Sequence, residues 1–173
     1  MTLSIYLGDI TYNTISLATE AFPLNVGYVA SYCKKQFGEQ VDIKIFKYID
    51  DITDAISKSP PDVLGLSNYA WNRRISSEIF KLALEENPNT VTIWGGPNFP
   101  TDIDSQKQFL QKYSHVDVYV PIEGELGFSN VIGKILNTCP DQMKRVILEQ
   151  PIENCVSCNN DKLLYGNIDP RIK

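Results

Sequence analysis

Histidine is almost absent from this sequence, and several motifs typical of common functions are missing. His115 is the only histidine among the 173 residues, which excludes most zinc sites and any ordinary Ser-His-Asp triad within the chain. The first apolar run is not followed by Gly-x-Gly-x-x-Gly, and no Walker lysine motif occurs. Phosphate binding of the dinucleotide or P-loop type is therefore disfavoured.

Long apolar runs and basic blocks are also lacking. No run approaches the roughly 20 residues that span a bilayer, and the first residues lack the basic region and apolar core of a signal peptide. The net charge is -5 without a basic cluster, so we expect neither nucleic acid nor a membrane as a partner. With no secretion signal, the four cysteines are expected to be reduced thiols in a cytoplasmic protein.

Two of the cysteines, Cys155 and Cys158, form a Cys-x-x-Cys pair near the end of the chain. This spacing occurs in metal sites and redox pairs. Only two thiols are in range, so a coincidental pair in a polar tail is the favoured interpretation.

Apolar runs of strand length alternate with helical patterns five times. The runs lie at residues 2–7, 41–46, 63–67, 91–94 and 116–120. This order predicts an α/β fold with a doubly wound, five-stranded parallel sheet covered on both faces. The alternation stops after Pro140, and residues 151–173 are polar. We therefore predict a domain over residues 1–140 and a linker or docking strap over residues 141–173.

Unusual residues follow the predicted strands, at the sheet edge where open α/β folds bind ligands. Small residues there allow a bulky ligand to approach the backbone, amides and hydroxyls supply donors and acceptors, and aromatic rings cover flat apolar surfaces. Each feature also has a simpler explanation, such as a glycine turn or carboxylates at a helix N-terminus. The long predicted loop over residues 8–23 is harder to explain that way, because long loops in compact domains are usually functional.

Four segments, in order, resemble the cobalamin-binding domains that precede radical-SAM domains. They are residues 23–32 (PLNVGYVASY), 61–67 (PDVLGLS), 94–98 (WGGPN) and 123–125 (EGE). The resemblance covers about residues 1–137, and it implies a flavodoxin-like, Rossmann-like fold. It also implies that the nucleotide tail of cobalamin inserts near Ser67 and the two glycines at 95 and 96.

The resemblance further implies cobalamin without a histidine ligand from this chain. Methionine-synthase-like domains carry Asp-x-His-x-x-Gly, but here Asp9 is followed by Thr11 and Thr14 at the histidine and glycine positions. His115 precedes the fifth strand, so it is expected at the opposite edge, as a surface residue. The predicted cobalamin-binding residues are Gly8, Asp9, Thr11, Asn25, Ser67, Asn68, Tyr69, Trp71, Gly95, Gly96, Pro97, Asn98, Glu123 and Gly124.

By the same resemblance, the partner is a radical-SAM catalytic domain, in cis or in trans, that holds S-adenosylmethionine and a 4Fe-4S cluster. The chain lacks the Cys-x-x-x-Cys-x-x-Cys motif for that cluster, so no catalytic residue is assigned to it. Methyl transfer to a small molecule or a peptide is the expected reaction. Two alternatives stay open: a degenerate domain that serves as a docking scaffold without cofactor, and a flavodoxin-like or receiver-like signalling domain.

Overall fold

The computed structural model describes residues 2–12 and 22–168, in which strands and helices alternate along the chain. The strands are β1 (Leu3–Thr11), β2 (Val41–Tyr48), β3 (Val63–Ser67), β4 (Val91–Gly95), β5 (Val118–Val120), β6 (Val156–Asn159) and β7 (Lys162–Tyr165). The helices are α1 (Leu24–Phe37), α2 (Ile49–Lys58), α3 (Arg73–Glu86), α4 (Ile103–Lys112), α5 (Gly124–Ile135) and α6 (Met143–Glu149). Within those two ranges, no helix is long and apolar enough to cross a membrane.

All strands join one sheet, in the order β2-β1-β3-β4-β5-β6-β7. The strands β1 to β5 run parallel, and β6 and β7 add an antiparallel hairpin beside β5. One buried apolar cluster lies between the sheet and α1, α5 and α6, and a second lies between the opposite face and α2, α3 and α4. This is the doubly wound arrangement that the alternation predicts.

The composition of each strand follows from its place in the sheet. In the central strand β3, Val63 joins one buried cluster and Leu64 joins the other. Since successive side chains point to opposite faces, a strand covered on both faces is apolar throughout. The strand β2 lies at the edge of the sheet and instead exposes Asp42 and Lys44, as its alternating pattern of apolar and polar residues indicates.

Over the described residues the sheet has seven strands, and the prediction of five is wrong. The two additional strands are four residues long and partly polar, because a hairpin at the end of a sheet is covered less completely than a central strand. A two-residue turn joins them, and its residues Asn160 and Asp161 both have positive φ, 47° and 63°, as tight hairpin turns require. The division of the chain at residue 140 stays a prediction.

The strand β1 is longer than predicted and changes the setting of three candidate residues. Gly8 pairs with both Phe46 and Leu66, and Thr11 pairs with Tyr48 after an irregularity in the register. Gly8 therefore lies in a strand between two neighbours, and Asp9 and Thr11 follow it in the same strand, not in a loop that begins at residue 8. The rest of the predicted loop, with Thr14, falls mostly outside the described residues.

Candidate functional site

A cleft of about 510 Å³ opens at the carboxyl edge of the parallel strands. It is lined by residues from β1, β3, β4 and β5, and by the first turns of α1 and α5. The parallel strands end at this edge, and α1 and α5, two of the three helices on this face, begin there. The cleft therefore lies where open α/β sheets bind their ligands.

The floor of the cleft is apolar. Leu7, Ile93 and Val120 contribute from β1, β4 and β5, and Phe128 contributes from α5. Gly65 in β3 lets two of these side chains pack directly against the strand, because a Cβ atom there would lie 2.7 Å from Leu7 Cδ2 and 3.0 Å from Phe128 Cε2. The floor thus offers an apolar surface, and a side chain at position 65 would crowd it.

Polar and aromatic side chains form the rim. Asn25 Oδ1 accepts a hydrogen bond from the amide of Val26 at 2.8 Å, and its Nδ2 donates to Tyr69 Oη at 3.4 Å. The ring of Trp71 stacks on the ring of Tyr69 at 4.5 Å between centroids, and Trp71 is 61% exposed. Glu123, with its carboxylate, also lines the cleft and immediately precedes α5. The rim therefore offers a flat ring pair and hydrogen-bonding groups to a ligand larger than the cleft.

A hydrogen-bonded triangle supports the cleft from β1, β3 and the start of α3. Ser67 Oγ donates to Asp9 Oδ1 at 2.5 Å, and Asn72 Nδ2 donates to Ser67 Oγ at 2.8 Å and to Asp9 Oδ1 at 3.2 Å. Asn72 is fully buried, and its Oδ1 accepts from the amide of Tyr69 at 2.8 Å. The triangle fixes both the hydroxyl of Ser67 and the path of the chain that follows it.

A second polar group of side chains lies behind the turn that follows β4. Asn68 Nδ2 donates to Asn98 O and to Tyr119 Oη, both at 2.9 Å, and Asn98 Nδ2 donates back to Asn68 Oδ1 at 3.1 Å. Tyr119 Oη donates to Gly96 O at 2.8 Å. Burial raises the pKa of Tyr119 well above its ordinary value, although the hydrogen bond from Asn68 opposes the shift. The phenol therefore keeps its proton and holds the turn.

Different constraints act on the two glycines of this turn. Gly96 has a φ of 127°, and a Cβ atom there would lie 2.9 Å from Asn68 O. At Gly95 the nearest atoms to such a Cβ are Val120 O at 3.5 Å and Val120 Cβ at 3.8 Å, which are ordinary contacts. Gly96 is thus required by the backbone, whereas the space at Gly95 belongs to the cleft.

The structure brings eight of the predicted binding residues to the cleft. They are Asn25, Ser67, Tyr69, Gly95, Gly96, Pro97, Glu123 and Gly124. The others lie behind it or beside it. They are Gly8, Asp9, Thr11, Asn68, Trp71 and Asn98. The role of all of these residues in binding stays a prediction.

Sequence reasoning did not assign the floor or two of the supporting side chains. The missed residues include Leu7, Gly65, Phe128, Asn72 and Tyr119. A signal existed for Gly65, because a glycine inside a buried strand often marks a close approach by a ligand or another chain segment. For Leu7 and Phe128 no local signal existed, since they look like ordinary core residues.

The histidine and the Cys-x-x-Cys pair lie away from the cleft. His115 is half-buried before β5, at the opposite edge, and its Nε2 shares a hydrogen bond with Ser77 Oγ at 2.9 Å. Cys155 joins the cluster beneath α5, where its thiol donates to Gly127 O at 3.3 Å, while Cys158 packs on the other face of the sheet. In the part of the chain that the structure describes, no group of three or more His, Cys, Asp or Glu side chains is placed to hold a metal ion.

A sequence profile of the B12 binding domain matches residues 10–132, most of the chain. The chain belongs to the B12 binding domain family. The match covers β2 to β5 and most of α5, so it includes most of the elements that border the cleft. The expected resemblance and the flavodoxin-like fold are thereby confirmed.

Two curated relatives match this chain over most of its length. The cobalamin-dependent radical SAM methyltransferase TokK of Streptomyces tokunonensis is 31% identical over 125 residues, which cover 69% of this chain and 18% of TokK. The 2-(S-pantetheinyl)-carbapenam-3-carboxylate methyltransferase of Streptantibioticus cattleyicolor is 30% identical over 129 residues, which cover 72% of this chain and 18% of that enzyme. The chain thus matches less than a fifth of the length of either relative.

Among solved structures, the B12 binding domain resembles part of OxsB, a cobalamin-dependent S-adenosylmethionine radical enzyme. The OxsB structure with aqua-cobalamin and S-adenosylmethionine bound superposes with a TM-score of 0.70 at 16% identity. The match covers 98% of this chain and 23% of OxsB. It therefore includes the region of the C-terminal hairpin as well as the parallel strands.

Proposed function

We propose that this chain binds cobalamin, with the nucleotide tail of the cofactor in the cleft. The observation that carries the proposal is the cleft of about 510 Å³, with its apolar floor and glycine-bordered wall. Sites for cofactors and small molecules are usually about 300–1,000 Å³ in volume, mostly apolar, with a few polar groups at defined positions. Membership of the B12 binding domain family supports the same conclusion.

The residues present fit such a group. A side chain at position 95 would reduce the open space of the cleft, and Gly65 leaves room for the side chains of Leu7 and Phe128 in its floor. Asn25, Ser67 and Tyr69 are positioned to orient a polar tail, and the exposed ring of Trp71 offers a flat apolar surface beside them. We find no histidine at this edge in the described ranges, which supports a cobalamin without a histidine ligand from this chain.

Bound cobalamin would supply a cobalt centre that accepts and transfers alkyl groups. The residues of this chain would bind the cofactor, orient it at the carboxyl edge and exclude water from the cleft, which is the usual share of the protein in such chemistry. The scaffold and signalling alternatives are not favoured, because the family match and the open cleft both point to a ligand.

In the whole enzyme, we propose that this domain presents cobalamin to a radical-SAM catalytic domain, in cis or in trans. That domain would hold S-adenosylmethionine and a 4Fe-4S cluster, and it would methylate a small molecule or a peptide. The names of TokK and OxsB support this arrangement, since both are cobalamin-dependent radical enzymes. Residues 141–168 include α6 and the hairpin, which pack on the same sheet and would therefore belong to the cofactor domain.

A titration of the purified chain with hydroxocobalamin tests the proposed function. The chain is desalted after mixing, and the visible spectrum of the protein fraction reports the corrin that it retains. We expect the wild type to retain the corrin. Gly95→Leu should bind it at least about tenfold more weakly, because the leucine side chain would fill the cleft and reduce the binding free energy by about 1.4 kcal/mol or more.

The matched control is Gly133→Leu. Gly133 lies in α5 away from the cleft, and a Cβ atom there would lie 3.4 Å from Phe37 Cζ, a contact similar to that at Gly95. Equal thermal stability of the two variants would separate loss of binding from loss of folding. Retention of corrin by Gly95→Leu to the same extent as by Gly133→Leu would contradict the proposed site.

A further inference from the structure

The hydroxyl of Ser67, the polar side chain of β3 that lines the cleft, is already paired. Its proton is donated to Asp9 Oδ1 at 2.5 Å, and its oxygen accepts from Asn72 Nδ2 at 2.8 Å. A hydroxyl has one proton to donate. Ser67 therefore has none left for a ligand nitrogen unless the bond to Asp9 breaks.

The polar side chains behind the wall of the cleft are committed in the same way. Asn68 exchanges hydrogen bonds with Asn98 and also donates to Tyr119. The proton of Tyr119 goes to Gly96 O at 2.8 Å. Both N–H groups of Asn68 and the proton of Tyr119 are thus engaged, so neither side chain offers a donor toward the floor.

The remaining floor is hydrocarbon, and the uncommitted polar groups lie at the mouth. Leu7, Ile93, Val120 and Phe128 provide no hydrogen-bonding atom from their side chains. The carboxylate of Glu123 lies on the rim, before α5. Polarity in the cleft thus increases from the floor to the mouth.

Cobamides differ in the base at the end of their nucleotide tail, and the two common classes differ in polarity. A dimethylbenzimidazole base presents two methyl groups and an aromatic edge. An adenine base presents an exocyclic amino group and ring nitrogens, each of which loses hydrogen bonds to water on entering an apolar floor. We propose that this cleft discriminates between cobamides by their lower base, accepting a benzimidazole base and rejecting a purine base. This inference rests on the proposed function, which states that the tail of a corrinoid enters the cleft.

Equilibrium binding of three corrinoids to the purified chain tests the inference. The ligands are aquacobalamin, the corresponding cobamide with adenine as its lower base, and cobinamide, which has no base; isothermal titration calorimetry gives each Kd. We expect the adenine cobamide to bind at least about tenfold more weakly than cobalamin, since an unpaired polar group in an apolar site costs about that factor or more. Cobinamide is expected to bind more weakly than cobalamin, because it leaves the floor empty.

Val120→Thr tests whether the floor carries the discrimination. Threonine has the shape of valine and adds one hydroxyl, so the ratio between the two cobamides should shrink about two- to tenfold, the value of one hydrogen bond. The matched control is Val118→Thr, on the same strand and in the same buried cluster but not in the lining of the cleft. The ratio of the two Kd values should not change in that variant.

The outcomes separate this inference from the proposed function. Equal Kd values for cobalamin and the adenine cobamide would overturn the discrimination while leaving cobalamin binding in place. Cobinamide binding as tightly as cobalamin would also overturn it, because the base would then make no contact in the cleft. Failure of all three corrinoids to bind would overturn the proposed function together with this inference.

Discussion

At position 96 the backbone has a φ of 127°, and the glycine lies against the main chain of Asn68. Residues with a side chain rarely adopt that backbone conformation, and holding one in it destabilises the fold by about 1–3 kcal/mol. We therefore expect Gly96→Ala to lower the free energy of unfolding by about that amount, as measured by urea denaturation. Gly133→Ala in α5 is the control and should be neutral or slightly stabilising, because alanine is the better helix former. Equal stability of the wild type and Gly96→Ala would contradict the backbone argument.

His115 makes the stability of the fold depend on pH near neutrality. Burial is the main cause that lowers its pKa below the ordinary value of 6.5; the charge of Lys81 acts in the same direction, while Glu78 and Asp117 oppose it. Between the two pKa values, the unfolded chain binds the proton and the folded chain does not. The contribution of His115 is therefore fully present above pH 6.5 and is lost as the pH falls toward its folded pKa.

Urea denaturation between about pH 5 and about pH 7.5 measures this effect, since the histidine titrates in that window. The free energy of unfolding should fall toward low pH in the wild type, and His115→Gln should reduce that fall. The comparison between the two proteins removes the contribution of the carboxylates. Identical pH profiles would show that the histidine is equally solvated in both states.

At the scale of elements, hydrogen bonds join the two ends of the C-terminal hairpin to each other. Gly166 donates its amide to Cys155 O at 3.0 Å, and Asn154 donates its amide to Asn167 O at 2.8 Å. A Cβ atom at position 166 would run into the carbonyl oxygen of Ile152. The contact leaves no room for a side chain where the hairpin returns to the segment before β6.

We expect Gly166→Ala to loosen β6 and β7 by about 1–3 kcal/mol, as overpacking does in well-packed regions. Hydrogen exchange followed by mass spectrometry should show that the variant exchanges faster than the wild type in β7, with a smaller change in β3. The Gly133→Ala protein serves again as the reference for a harmless glycine replacement. Unchanged protection of β7 would mean that the segment before β6 moves to accommodate the alanine methyl group without loss of stability.

The elements differ in how well the sequence predicts them, and the reason is their burial. Strands such as β3 are covered on both faces, so their continuous apolar runs are visible in the sequence. The hairpin strands β6 and β7 are short and partly exposed, and no long apolar run marks them. The available signal was the pair Asn160 and Asp161, whose positive φ angles fit a two-residue hairpin turn.

For the whole molecule, the position of the candidate site was predictable but its depth was not. The rule for open α/β sheets places ligands at the carboxyl edge, and the predicted residues Asn25 and Ser67 line the cleft there. The floor depends on which face each strand residue points to and on how α5 packs, and neither is visible at Leu7 or Phe128 alone. Asp9 turned out to support the cleft through Ser67 and does not line it.

Removal of residues 151–173 tests whether the end of the chain belongs to the same folding unit. Val156 is fully buried and Cys155 nearly so, and burying an apolar side chain contributes about 1.5–3 kcal/mol. We therefore expect the shortened chain to lose several kcal/mol of stability, or to lose cooperative unfolding, in a thermal or urea transition. A shortened chain with the stability of the whole would instead support a separable strap.

The burial of the thiols leaves this molecule with one convenient chemical handle. Of its four cysteines, all within the described ranges, Cys139 alone is exposed. Burial raises the pKa of Cys33 to about 11 and that of Cys155 to about 12. It also raises the pKa of Cys158. Thiolate is the form that a maleimide dye attacks. Cys139 follows the far end of α5, whose 12 residues extend about 18 Å from the mouth of the cleft. A fluorophore attached there leaves the cleft open. A ligand that absorbs visible light and enters the cleft would quench the emission of this fluorophore.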